Sequence, residues 1–261
     1  MTVNGFHHTG VVTHDLDGLA RTYASLGFTV STRSRHLLGT EPGSPPVPGC
    51  TANQCVYLGN AYLELLGIID DTAPDPWHTR EMGTGFRILN FETTDAAASA
   101  KALSTSDLSA SGVLDLERDI DTDNGPRTLR ARAVHLDPRS TPEGYVGLAQ
   151  HLTREYVRGV AHPNGARRLA AVRISATDTD FDAIVDRYAR LLGAVPARRG
   201  VLPVGDARLE VVRGPVSRLE AMTIAVGDLA HARRTAETGG NPTETTKEGF
   251  AAGGLFFEET S

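Results

Sequence analysis

Residues 5–30, GFHHTGVVTHDLDGLARTYASLGFTV, decide the fold when read together with residues 56–69, VYLGNAYLELLGII. Alternation over 5–13 predicts a strand, with Phe6, His8, Gly10 and Val12 on one face and His7, Thr9 and Val11 on the other. Leu16, Leu19, Ala20, Tyr23 and Leu26 then recur at helical spacing, with Asp15 as the cap and Gly27 as the stop. FTVSTRSRH (28–36) reads as a second strand, and NQCVYLG (53–59) and AYLELLGII (61–69) as two more around a tight turn at Gly59-Asn60. Between them LLGTEPGSPPVPGCTAN (37–53) is dense in Gly and Pro and predicts a loop. The unit is βαβββ.

The same order of elements returns. After a linker, DDTAPDPWHTREMG (70–83), a strand (85–93), a helix (95–104) and three strands (111–120, 127–137, 144–153) make a second unit. HPNGARR (162–168) punctuates the chain before a third, whose helix segment RYARLLGA (187–194) mirrors TYASLGF (22–28). A fourth, shortened copy begins near Leu219. The fold class is therefore α+β, with two pairs of βαβββ modules in one chain. An N-terminal domain over 1–160 carries the first pair, and a degenerate, shortened C-terminal domain over 161–261 the second.

Composition narrows the function. The 261 residues carry a net charge of -6 and no basic stripe, which argues against a nucleic-acid partner. No apolar run reaches the ~18 residues of a membrane span, so no membrane partner is expected. The start, MTVNGFHHTG, has no signal-peptide pattern, and only two cysteines are present; together these point to a cytoplasmic address. Cys50 and Cys55 have no activating base near them in sequence, so they are not read as nucleophiles.

A set of motifs runs through this frame. His8, Val12, Asp15 and Leu16 spell H-x-x-x-V-x-x-D-L, and Tyr23 to Phe28 spell Y-x-x-L-G-F. Arg35-His36, Thr51-Ala52-Asn53, Tyr62-Leu-Glu-Leu65, Gln150-His151 and His162-Pro-Asn-Gly165 accompany them. As a set they resemble the vicinal oxygen chelate superfamily, and within it the glyoxalase-like branch (glyoxalase, bleomycin resistance, dioxygenase). The chain departs from that branch where EPGSPPVPGC (41–50) is inserted beside the expected pocket.

The resemblance implies a half-open cup around a divalent metal ion, Fe, Mn, Ni or Zn. Carried over residue by residue, it implies His8, Glu64 and His151 as ligands, with Ile88 at the fourth place. Such a two-histidine, one-carboxylate set leaves coordination positions open. Glu64 and His36 are the candidate catalytic groups, while Phe6, Asn53, Tyr62 and Phe86 are the candidate substrate contacts. Arg130 and Arg132 share one strand face and are candidates to hold an anionic substrate. In the C-terminal half Glu210 echoes Glu64 without a histidine partner. The implied activity is a metal-dependent isomerase, epimerase or lyase acting on a small oxygenated molecule through an enolate or alkoxide. The alternatives are a non-catalytic small-molecule- or antibiotic-binding (resistance) protein and an extradiol-type dioxygenase. The expected partner is a small-molecule substrate or ligand, with a homodimer as a further expectation.

Overall fold

The computed structural model describes residues 3–106, 108–122 and 124–260. The first module comprises β1 (Val3–Thr13), α1 (Leu16–Ser25), β2 (Ser34–Leu38), β3 (Val47–Tyr57) and β4 (Tyr62–Ile68). The second comprises β5 (Gly85–Thr93), α2 (Ala96–Ser104), β6 (Leu114–Thr122), β7 (Gly125–His135) and β8 (Tyr145–His151). Their eight strands close into a barrel in the order β1-β4-β3-β2-β6-β7-β8-β5. Each module pairs its first and last strands in parallel, β1 with β4 and β5 with β8, and the modules join through antiparallel β1–β5 and β2–β6 ladders.

Among the described residues, three of the four α-helices start where the sequence supplies a carboxylate cap. Asp15 accepts a hydrogen bond from the Gly18 amide at 2.8 Å, Asp95 from Ala98 at 2.9 Å and Asp228 from His231 at 2.8 Å. These equivalent caps are a local trace of the repeat. After α1 the chain turns sharply at Gly27, whose φ of 87° is the left-handed conformation that favours glycine.

Two local readings change. The loop predicted over 37–53 contracts, because β3 begins at Val47 and pairs with β2 through Leu37–Pro48 and Leu38–Val47. The Arg35 guanidinium also donates to the Gly49 carbonyl, at 3.2 and 3.1 Å. Conversely, the strand predicted over 28–36 is regular only from Ser34. Upstream of it the bonding is irregular, with the Ser31 amide donating to the Cys55 carbonyl at 2.9 Å and the Thr29 amide to His162 Nδ1 at 3.0 Å.

The third module is β9 (Ala166–Ala176), α3 (Phe181–Leu192), β10 (Val201–Val204) and β11 (Ala207–Arg213). The fourth is β12 (Arg218–Val226), α4 (Leu229–Thr238), β13 (Glu244–Thr245), β14 (Gly249–Ala252) and β15 (Leu255–Glu259). They form an open seven-stranded sheet, β10-β11-β9-β12-β15-β14-β13. The shortened ladder on the β10 side belongs to the third module, which has two strands after its helix, while the fourth keeps three short ones. The β9–β12 and β12–β15 pairings repeat those of β1–β5 and β5–β8.

One apolar core joins barrel and sheet. Phe6 and Phe91 stack at 5.6 Å on the outside of the barrel, and Phe91 meets Tyr188 of α3 at 6.1 Å. Glu143, fully buried, accepts from Tyr188 Oη at 2.8 Å and from the Arg187 guanidinium at 2.8 and 2.9 Å. Among the described residues no helix is long and apolar enough to cross a membrane.

Candidate functional site

The period-two alternation of a closed barrel sends every second side chain into its lumen. From β1 that is His8, from β2 His36, from β3 Asn53 and from β4 Tyr62, Glu64 and Leu66. The second module contributes Ile88 and Asn90 from β5, Leu116 and Arg118 from β6, Ala131 and His135 from β7, and Tyr145 and Ala149 from β8. The segment 70–83 adds Trp77, Thr79 and Met82. The empty space, counting its mouth, is about 600 Å³, but only about 40 Å³ is open to the centre of a water molecule. At about 10–15 Å³ per water this is room for roughly three or four waters, so the lumen suits a small ligand.

Glu64 stands at the centre of the polar layer. Its Oε1 accepts from Asn53 Nδ2 at 2.7 Å and lies 3.6 Å from His36 Nε2, while Oε2 lies 3.6 Å from His8 Nε2. On its other side Asn53 Oδ1 faces Arg118 Nη1 at 3.4 Å. His36 is held by Thr51 Oγ1 at 2.9 Å, and His8 Nε2 by Asn90 Nδ2 at 3.0 Å. His8 Nδ1 and His7 Nδ1 share a proton position at 2.7 Å.

Burial keeps these imidazoles uncharged. Loss of hydration pushes His8 and His135 down to about 3 and His36 down to about 4, with the Glu64 carboxylate partly opposing the shift at His36. His7 is also lowered, by burial first and then by its histidine neighbours. Several lumen atoms have no protein partner: both ring nitrogens of His135, Asn90 Oδ1 and Trp77 Nε1. Buried polar atoms are nearly always paired, so this cluster marks where a ligand's polar atoms fit.

Comparison with known proteins now bears on this geometry. The family model described as "Glyoxalase-like domain" matches residues 6–192, which span β1 to the end of α3. The chain belongs to the glyoxalase-like domain family. No curated protein matches it. Among solved structures, a hypothetical protein from Staphylococcus aureus superposes with TM-score 0.67 at 14% identity, over 98% of this chain and 99% of that one. A xylose isomerase-like TIM barrel/4-hydroxyphenylpyruvate dioxygenase fusion protein gives 0.59 at 14%, over 93% of this chain and 40% of that one. A triple mutant of 4-hydroxymandelate synthase from Streptomyces coelicolor gives 0.58 at 10%, over 99% and 92%. These identities establish a shared fold.

For a glyoxalase-like protein the resemblance implies a divalent metal ion, and the residues here do not fit one. His8 and Glu64 are neighbours, but the two ring nitrogens of His8 are engaged by His7 and Asn90, and Glu64 Oε1 by Asn53. His151 faces inward at the far end of the barrel, where its ring stacks on His7 at 3.9 Å and lines a separate small cavity with Glu92 and Arg154. Among the described residues no group of three or more His, Cys, Asp or Glu side chains is arranged to hold a metal ion.

The glyoxalase-like lumen does bring together His36, Asn53, Tyr62 and Glu64, with the Tyr62 ring stacked on His8 at 4.9 Å. It does not include Phe6 or Phe86, which pack into the outer core. The physical reason is a pair of irregularities in the β1–β5 ladder, between Phe6 and His8 and between Gly10 and Val11, which flip the alternation. Arg130 and Arg132 form cross-strand ion pairs with Glu117 and Asp115 at 2.9 and 3.1 Å, and Arg132 alone touches the rim of the lumen. In the C-terminal sheet Glu210 is neutralised by Arg173 and Arg208, at 3.0 and 2.7 Å.

Sequence reasoning missed Arg118, Asn90, His135, Tyr145 and Trp77. The first four carried a signal, since each falls in the inward parity of its strand, as Arg118 does between Leu116 and Ile120. Trp77 carried none, because the segment 70–83 reads as a linker.

Proposed function

We propose that the lumen binds one small oxygenated molecule and that Glu64 moves a proton on it. The observation that carries this reading is a buried carboxylate with one oxygen fixed by Asn53 and the other turned towards an uncharged imidazole, in a space that admits few waters. Excluding water keeps a carboxylate base reactive and strengthens every dipole aimed at the ligand. Neutral His36, oriented through Thr51, is placed to donate a hydrogen bond to an oxygen that gains charge as the proton leaves. The reaction class is isomerase-, epimerase- or lyase-like, through an enolate or alkoxide.

The test is solvent deuterium uptake into pyruvate and lactate, followed by NMR. Wild type is expected to exchange protons at the methyl carbon beside the ketone of pyruvate or at the hydroxyl-bearing carbon of lactate, and Glu64→Gln to lose at least ~100-fold of that rate. Tight binding without any exchange would instead support a protein that sequesters its ligand. The small free space of the lumen and the packing at its two ends are the features that favour that second reading.

A further inference from the structure

Arg118 is buried, 2% exposed, yet among the described residues no carboxylate forms an ion pair with it. Its guanidinium donates to Tyr57 Oη at 2.9 Å, weakly to Asn53 Oδ1 at 3.4 Å, and to Cys55 Sγ at 3.6 Å. All three acceptors are neutral at pH 7, since burial pushes the Cys55 thiol up to about 11 and the Tyr57 phenol higher still. Other partly buried arginines of the chain are matched directly: Arg187 by Glu143, and Arg173 and Arg208 by Glu210. A buried charge with no carboxylate in direct contact, Glu64 being held off by the intervening Asn53, is expensive by several kcal/mol. A guanidinium lining a cavity in this condition is built to receive an anion.

The surroundings narrow the anion. Glu64 lies just across Asn53 and opposes a dianion, so a single negative charge is favoured. Leu116, Leu129 and Ala131 beside Arg118 call for an apolar body, and the narrow lumen limits its size. Trp77 Nε1, with no partner of its own, is a further donor for an oxygen of the ligand. We infer that the lumen takes a small organic monocarboxylate whose carboxylate is anchored by Arg118, which serves as the cation of the site in place of a metal ion. This rests on the reading of the lumen as the functional site. It also accounts for the failed metal set, because the fixed charge of Arg118 repels a divalent ion from the neighbourhood of Glu64.

The experiment measures binding of propionate, pyruvate and benzoate, each against its neutral amide, by calorimetry and melting midpoint at constant ionic strength. At least one acid should bind saturably while its amide does not. Arg118→Met should weaken that acid tenfold or more, and Arg118→Lys, which keeps the charge without the planar fork, should fall between. Should Arg118→Met fail to fold, the Lys variant carries the comparison. No binding of any acid, or equal binding to wild type and the folded variant, overturns the inference; so does stoichiometric uptake of Mn²⁺ alone by the wild type. Glu64→Gln should keep acid binding and lose deuterium exchange. Arg118-dependent binding without exchange therefore sinks the proton-transfer reading alone, while exchange that ignores Arg118 sinks this one alone.

Discussion

Three imidazoles in the lumen, those of His8, His36 and His135, stay uncharged well below the pH at which free histidine ionises. Their pKa values are depressed in the folded state, so the unfolded chain binds the extra protons. Stability is thus fully present above pH ~6.5 and lost as pH falls towards 4 and then 3. At pH 5 each such histidine removes roughly 2 kcal/mol, and the three together approach the whole stability of a typical domain. The melting midpoint should fall steeply between pH 7 and pH 5, and His135→Phe should flatten the fall. A midpoint level across that range would contradict the burial of these rings as uncharged groups. At this scale part of the site was legible: the motif resemblance named His36, Asn53, Tyr62 and Glu64, and the lumen brings those four together. Arg118 shares the parity of Leu116 and Ile120, but that signal is masked, because LDLERDIDT looks like a solvated, charge-alternating strand until the barrel closes over it.

At the scale of elements, strand irregularities decide what enters the lumen. The two shifts in the β1–β5 ladder take Phe6 and Phe86 outward, and period-two reading has no means of placing such shifts. His151 shows the other gap in a sequence reading. Its parity is inward, but its distance along β8 carries it past the polar layer to His7. Gly147 of β8 is a tighter case. A methyl group there would sit 2.5 Å from Asn90 Oδ1 and 2.9 Å from the Val134 carbonyl, which is backbone and cannot swing away. Gly147→Ala should therefore destabilise by about 1–3 kcal/mol, as overpacking does, and should displace Asn90 from His8. Denaturant titration checks the first part, and a changed His8 ring resonance in NMR the second. An unperturbed variant would mean that β8 is free to move outward.

Over the whole molecule, the repeat made the architecture readable: four strand–helix beginnings, three of them with an Asp cap, specify two pairs of modules. What the repeat could not convey is the unequal fate of the pairs, one closed into a barrel and the other left as an open sheet. Closure depends on the β2–β6 pairing, a long-range contact with no local signature. Nor does the repeat indicate that the two halves share one core, with Glu143 of the barrel buried against α3.

Closure has a kinetic side. Met82 packs against Val12, Leu66, Ile68 and Ile88 at one end of the barrel, with Trp77 set between His36 and His135, while Tyr156 and Val157 pack against Ile120, Leu129 and Ala131 at the other. Met82 and Tyr145 also line a surface cavity, so they are the partition between solvent and lumen. The mouth beside that partition is narrow, so the way to Glu64 widens as the partition moves, and such segment motions run on microseconds to milliseconds. Mixed rapidly with excess ligand, the protein should show an observed rate that climbs and then saturates at the opening rate, whatever the ligand. Trp77 is the single tryptophan of the chain, so its fluorescence reports the event without a label. Met82→Ala should raise the plateau and speed release in the same proportion, leaving the equilibrium constant nearly where it was: the residue sets how long a molecule waits, on the way in and on the way out.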